Sequence, residues 1–164
     1  MKHIFLVLFT SVLLFNCQAQ EAPKHFSESA LNDTFIALDG TSLTFSEILD
    51  KHKGKTILID VWASWCGDCI KGMPKVKELQ KAHTDIVYLF LSLDKSEDSW
   101  KRGIKKYDVQ GEHYYMQSGW KGAFGSFLNL DWIPRYLVVN PDQSITLYKA
   151  VKATDKNLKA ALVK

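Results

Sequence analysis

The chain has 164 residues, 46% apolar and 24% charged, enough for one domain with its own core and too apolar for a wholly disordered chain. Its 21 basic and 18 acidic residues leave a net charge of +3, a balance that argues against nucleic acid or an anionic membrane face as a partner. Three cysteines, Cys17, Cys66 and Cys69, are too few to staple a disulfide-built fold.

Met1-Lys2-His3 precedes an apolar and small stretch from Ile4 to Phe15. A positive start followed by such a run predicts a secretory signal peptide over 1–19, and the run is shorter than the about 20 residues of a spanning helix. Two processing sites compete. Leu14-Phe15-Asn16-Cys17 resembles a loose bacterial lipobox, whose Cys17 would be lipidated and would tether the chain to a membrane, whereas Cys17-Gln18-Ala19 suits simple cleavage. Either outcome places the mature chain outside the cytoplasm, in a periplasm-like compartment where disulfides persist.

Residues 20–30 are polar, carry Pro23 and read as a linker ahead of a domain over 31–164. Thr34 to Leu38 and Leu43 to Phe45 flank Asp39-Gly40, a hairpin signal. Ser46 is the expected cap of a short helix, Glu47 to His52. Ile57 to Trp62 is a β-branched run suited to a buried strand. A helix to about Ala82 follows, with Met73, Val76 and Leu79 at helical spacing and Pro74 predicting a kink. Ile86 to Leu93 reads as a buried strand, Ser96 to Tyr107 as a helix with an acidic start, Tyr114 to Met116 as a strand, and Gly119 to Leu128 as a glycine-loosened helix. Arg135 to Asn140 and Ser144 to Tyr148 form strands joined by a turn at Asn140-Pro141-Asp142-Gln143, and Thr154 to Val163 closes as a helix. Alternating strands and helices predict an α/β fold with helices on both faces of a central sheet with parallel strands, to which the terminal hairpin adds antiparallel strands.

The chemistry concentrates at Trp65-Cys66-Gly67-Asp68-Cys69. A thiolate is the nucleophile in disulfide exchange, so a redox cysteine needs a lowered pKa. Cys66 sits where the strand ending at Trp62 hands over to a helix, whose unpaired N–H groups and dipole favour an anion. Cys69, three residues on, is within reach to close a bridge. Cys66 would attack a partner's disulfide and Cys69 would resolve the mixed disulfide. A zinc site needs further ligands at fixed spacing; His3, His25, His52, His83 and His113 are scattered, so neither metal nor cofactor is expected. Asp60 is an acid inside an apolar strand, a position that is costly unless the carboxyl is paired or protonated.

Asp60-Val61-Trp62-Ala63-Ser64-Trp65-Cys66-Gly67-Asp68-Cys69 with Pro74, and Trp132-Ile133-Pro134-Arg135 before a strand, resemble the active-site segment and cis-proline loop of thioredoxins. The longer stretch between them suits one inserted βα unit. With the leader and the N-terminal hairpin, the chain resembles the TlpA/ResA-type branch. That resemblance implies a thioredoxin-like three-layer α/β/α sandwich working outside the cytoplasm as a reductant of exported proteins that bear thiols or disulfides, supplied by a membrane electron donor.

It further implies an exposed Cys66, a shielded Cys69, Asp60 as proton acceptor for Cys69, a cis peptide at Pro134, and client contacts from Ile133 backbone groups, Trp65, Gly67 and Asp68. Trp62 reads as core, and no role falls to Trp100, Trp120 or Trp132. Asp68 stands where a proline is common and should oppose thiolate formation at Cys66. Gly72 stands where some ResA-type proteins carry a functional glutamate. The alternative reading is a binding module that keeps the fold around an inert disulfide.

Overall fold

The structure, a computed structural model, describes residues 21–163; the predicted leader and Cys17 lie outside the described residues. The elements run α1 (Glu28–Leu31), β1 (Thr34–Ala37), β2 (Ser42–Thr44), α2 (Phe45–Lys51), β3 (Ile57–Trp62), α3 (Gly67–Ala82), β4 (Val87–Ser92), α4 (Glu97–Tyr107), β5 (Glu112–Tyr115), a 3₁₀ turn (Gly119–Lys121), α5 (Ala123–Phe127), β6 (Arg135–Val139), β7 (Ile145–Ala150) and α6 (Lys156–Ala161). The strands form one seven-stranded sheet in the order β2-β1-β5-β4-β3-β6-β7.

The parallel part of the sheet is confined to β3, β4 and β5; every other neighbouring pair is antiparallel. The two parallel crossovers, through α3 and α4, step in the same direction along the sheet, and right-handed crossovers then place both helices on one face. Adjacent Tyr114 and Tyr115 on β5 point to opposite faces. The Tyr115 ring lies 5.9 Å from Trp100 of α4, whereas Lys51 of α2 sits 5.9 Å above the Tyr114 ring. Helices therefore cover both sides, and the three-layer sandwich with its N-terminal hairpin and inserted unit is the observed architecture.

Local chemistry sets the element ends. Thr44, not Ser46, caps α2: its hydroxyl accepts from the Glu47 N–H at 3.2 Å while the Glu47 carboxylate accepts from the Thr44 N–H at 2.7 Å. The reciprocal pair satisfies two otherwise unpaired helix-start donors, which Ser46 cannot do. Residues 119–128 form a 3₁₀ turn and a separate α5 rather than one helix. The chain turns extended at Gly122 (ψ 173°), and α5 packs so closely on the turn that a Cβ at Gly125 would collide with the Trp120 carbonyl. Pro74 lies exposed on α3, and the helix continues through it.

Within 20–30, Phe26 is buried against Phe45, Phe124 and Phe127, with ring centroids 4.8, 6.1 and 5.3 Å away. The Lys24 carbonyl accepts from the Ile145 N–H at 2.7 Å. Packing among aromatic rings is worth about 0.5–1.5 kcal/mol per pair beyond area burial, so this stretch is anchored to the domain by Phe26. The cluster joins α1, α2 and α5 on the face opposite α3 and α4.

Candidate active site

β3 is buried at all six positions and is flanked by β4 and β6, so its C-terminal end is rigidly held. Beyond Trp62 the loop is clamped by Asp94. Its carboxylate accepts from the Ser64 N–H at 3.0 Å, the Ser64 hydroxyl at 2.6 Å and the Ser92 hydroxyl at 2.9 Å. These bonds to a buried carboxylate tie the Ala63–Trp65 loop to the end of β4.

Cys66 is the N-cap of α3, and its Sγ accepts from the Cys69 N–H at 3.1 Å. Cys66 and Cys69 are joined by a disulfide, their Cα atoms 5.2 Å apart. The same N–H that bonds this sulfur would stabilise a Cys66 thiolate in the reduced pair. Cys66 is 6% exposed and Cys69 1%, so Cys66 is not the open thiol expected. The Ile133–Pro134 loop folds over it, and the Ile133 carbonyl oxygen lies 3.6 Å from Cys66 Sγ. Access runs instead through a surface cavity of about 460 Å³ lined by Trp65, Cys66, Gly67, Asp68, Trp120, Asp131, Trp132 and Ile133.

Ile133–Pro134 is cis, and Ile133 itself is buried. What fixes this loop is Arg135, whose side chain is wholly buried. Its guanidinium donates to the Leu128 carbonyl at 2.8 Å and to Asp131 at 2.5 Å, and Lys149 reaches the same carboxylate at 3.3 Å. Trp132, between the clamped Asp131 and the cis bond, is 59% exposed, and Trp65 across the cavity is 52% exposed. No role was expected of Trp132 or Trp120, yet both border the cysteine. The signal lay in adjacency: an aromatic immediately before the cis-proline dipeptide has little sheet to pack against. Gly67 and Asp68 are exposed at the start of α3, and Asp68 faces Lys71 at 3.8 Å on the surface, a counter-charge that tempers its effect on a Cys66 thiolate. Gly67 brings no side chain to the rim.

Asp60 is 1% exposed, and neither carboxylate oxygen has a hydrogen-bond partner. Burial pushes its carboxyl well above the usual carboxylate range. A carboxyl raised in this way holds a proton more firmly than an exposed one, which suits a group that exchanges a proton with a neighbour. Trp62 is fully buried, as expected of core. Among the described residues no cluster of His, Cys, Asp or Glu is suited to hold a metal ion.

A thioredoxin-like family model matches residues 54–145. Thioredoxin-1 of Caenorhabditis elegans is 35% identical over 66 residues, 40% of this chain and 54% of that protein. The thiol-disulfide oxidoreductase ResA of Bacillus cereus is 26% identical over 94 residues, 56% of this chain and 52% of ResA; the chain thus spans about half the length of these two curated relatives. Among solved structures, a thiol-disulfide oxidoreductase from Bacteroides fragilis superimposes with a TM-score of 0.68 at 20% identity, covering 83% of this chain and 98% of that one. A secreted disulfide oxidoreductase of Mycobacterium tuberculosis does so with a TM-score of 0.62 at 16% identity, covering 84% and 98%. The family match takes in the strand before the cysteines, the cysteine pair and the cis-proline loop, and the chain belongs to the thioredoxin-like family, with a ResA-type thiol–disulfide oxidoreductase among its relatives.

Proposed function

We propose that the protein is an extracytoplasmic thiol–disulfide oxidoreductase that reduces disulfides in exported proteins through Cys66 and Cys69. The observation that carries the reading is Cys66 at the N-cap of α3, with a backbone N–H aimed at its sulfur, Cys69 already bridged to it and the Ile133 carbonyl alongside. Cys66 as thiolate attacks a client disulfide; Cys69 then attacks Cys66 Sγ and releases the client thiol. Asp60 takes the Cys69 proton. The Ile133 backbone pairs with the client strand beside Pro134, while Trp65, Gly67 and Asp68 border its approach. The leader supports export, Cys17 is the candidate membrane tether, and a membrane donor would return electrons to the pair.

The test is insulin reduction by the wild type and by Cys66→Ser, with the reduction potential of the couple. Turnover that Cys66→Ser abolishes, and a potential near −270 mV, support a reductant; a value near −120 mV marks an oxidant instead. Absence of turnover with client binding unchanged in Cys66→Ser would leave a binding module.

A further inference from the structure

Across the sheet beneath α3 run Tyr136 of β6, Asp60 of β3, Phe90 of β4 and His113 of β5, each opposite the next. Phe90 stacks on His113 with ring centroids 5.3 Å apart, and His113 Nε2 is engaged at 3.0 Å by the Val109 carbonyl. Phe90 therefore stands between His113 and Asp60, and the polar neighbour of Asp60 in the row is Tyr136. The Tyr136 hydroxyl and both Asp60 oxygens are buried without hydrogen-bond partners. Tyr136 also lines a cleft of about 350 Å³ together with Gly72, Lys71, Lys75, Pro134 and Lys152. A Cβ at Gly72 would stand 3.3 Å from the Tyr136 hydroxyl, so glycine there keeps α3 from crowding the hydroxyl where Tyr136 lines the cleft.

We propose that Tyr136 is a positioning residue for the proton chemistry of Asp60: its hydroxyl donates to the ionised carboxylate and relays the proton between that carboxylate and water in the cleft over Gly72. The proposal rests on the reading of Asp60 as proton partner of Cys69. When Cys69 closes the bridge, its S–H proton passes to the Asp60 carboxylate and an S–S bond forms to Cys66. The bond from Cys66 to the client breaks, and the client sulfur leaves as a thiolate that is protonated by solvent. The dithiol loses the two electrons that the client disulfide gains. Asp60 then resets: its O–H proton moves to Tyr136 Oη as the Tyr136 O–H proton moves to a cleft water, leaving a carboxylate and a neutral phenol.

The other groups on this face are accounted for. α3 contributes Cys69 in the interior and Asp68, Lys71 and Lys75 at the cleft rim; β4 contributes apolar Phe90, with His113 of β5 beyond it; Lys152 precedes α6. Burial pushes the phenol up first and the neighbouring Asp60 second, consistent with a phenol that stays neutral throughout.

The test is a ¹³C-carboxyl NMR titration of Asp60 in the oxidised protein, where neither cysteine titrates. Tyr136→Phe should raise the Asp60 midpoint by about one pH unit, the scale of a lost hydrogen bond to a charged group. A difluorotyrosine incorporated at 136, a stronger donor of nearly the same shape, should lower it, and keeps the test open if Tyr136→Phe folds poorly. The high-pH limb of reduction by dithiothreitol, expressed per reagent thiolate, should shift with the midpoint and cease to respond to Tyr136→Phe in an Asp60→Asn background. An Asp60 midpoint that neither substitution moves, or a Tyr136→Phe effect that persists in Asp60→Asn, overturns the proposal. Loss of insulin turnover with this coupling intact would instead count against the redox reading.

Discussion

Gly103 of α4 packs directly on Ser64: a Cβ built at Gly103 would collide with the Ser64 side chain. The contact joins a helix of the outer layer to the loop that presents Trp65 and Cys66, a loop Asp94 already clamps. Gly103→Ala must displace Ser64 or α4. Overpacking of this kind costs about 1–3 kcal/mol, and here it also disturbs the Ser64–Asp94 bonds. We expect a lower urea midpoint together with slower insulin reduction. A variant equal to wild type in both would show that the loop yields freely.

Cys69→Ser should separate attack from resolution. Cys66 keeps the helix N-terminus and the residue-69 N–H, so it still attacks, but the mixed disulfide has no thiol to release it. Mass spectrometry after exposure to oxidised client should find a covalent complex with Cys69→Ser and none with Cys66→Ser. Equal trapping by both variants would reverse the assignment of roles.

Asp60 governs a pH term in stability. Its folded-state pKa stands above the unfolded value because of burial. The stability it contributes is therefore complete below about pH 4 and drains away as pH rises toward the raised folded-state value, at about 1.4 kcal/mol per pH unit. Asp60→Asn removes this slope. Relative to wild type, the oxidised variant should gain stability steadily in denaturant titrations from pH 4 upward. Reduction of insulin by the same variant at pH 7 should slow by about a hundredfold, the low end for a positioned proton carrier. Parallel stability curves for the two proteins would mean that Asp60 is ionised in the fold.

Arg135→Met tests the clamp on the cis-proline loop. The change empties two hydrogen bonds, to the Leu128 carbonyl and to Asp131. Removing a hydrogen bond that involves a charged group costs about 1.5–3 kcal/mol, although an exposed Asp131 lowers the share of the ion pair. A loss of about 2 kcal/mol in urea unfolding is expected, with Trp132 more accessible to acrylamide quenching. Arg135→Lys should rescue little, because an ammonium lacks the planar fork that serves two acceptors at once.

Trp132→Ala should leave stability within about 0.5 kcal/mol, as for a surface side chain, and raise KM for a protein client about tenfold while leaving reduction of a small aromatic disulfide unchanged. Tryptophans at the centre of contact surfaces commonly carry binding energy of this order. Equal effects on both substrates would mean that Trp132 acts on the cysteines and not on the client.

Local pattern determined much of this protein. The β-branched run Ile57–Trp62 read as a buried strand. The Cys66–Cys69 spacing at its end announced redox chemistry, and the α/β alternation followed from turn residues and periodicity. Those features depend on neighbours within a few residues, so they are written along the chain.

What tertiary structure alone decided depends on residues far apart in sequence. Ile133 meets Cys66 across 67 positions and covers it, which reversed the expected exposure of the thiol. Arg135 reads as a charged residue at the start of a strand, yet it is buried because Leu128 and Asp131 curl back to accept its protons. Phe26 sits in a polar stretch and is recruited by a cluster assembled from α2 and α5. Tyr136 becomes the neighbour of Asp60 through β3–β6 register, and register follows from which strands pair, a choice made by the burial of whole faces rather than by either residue.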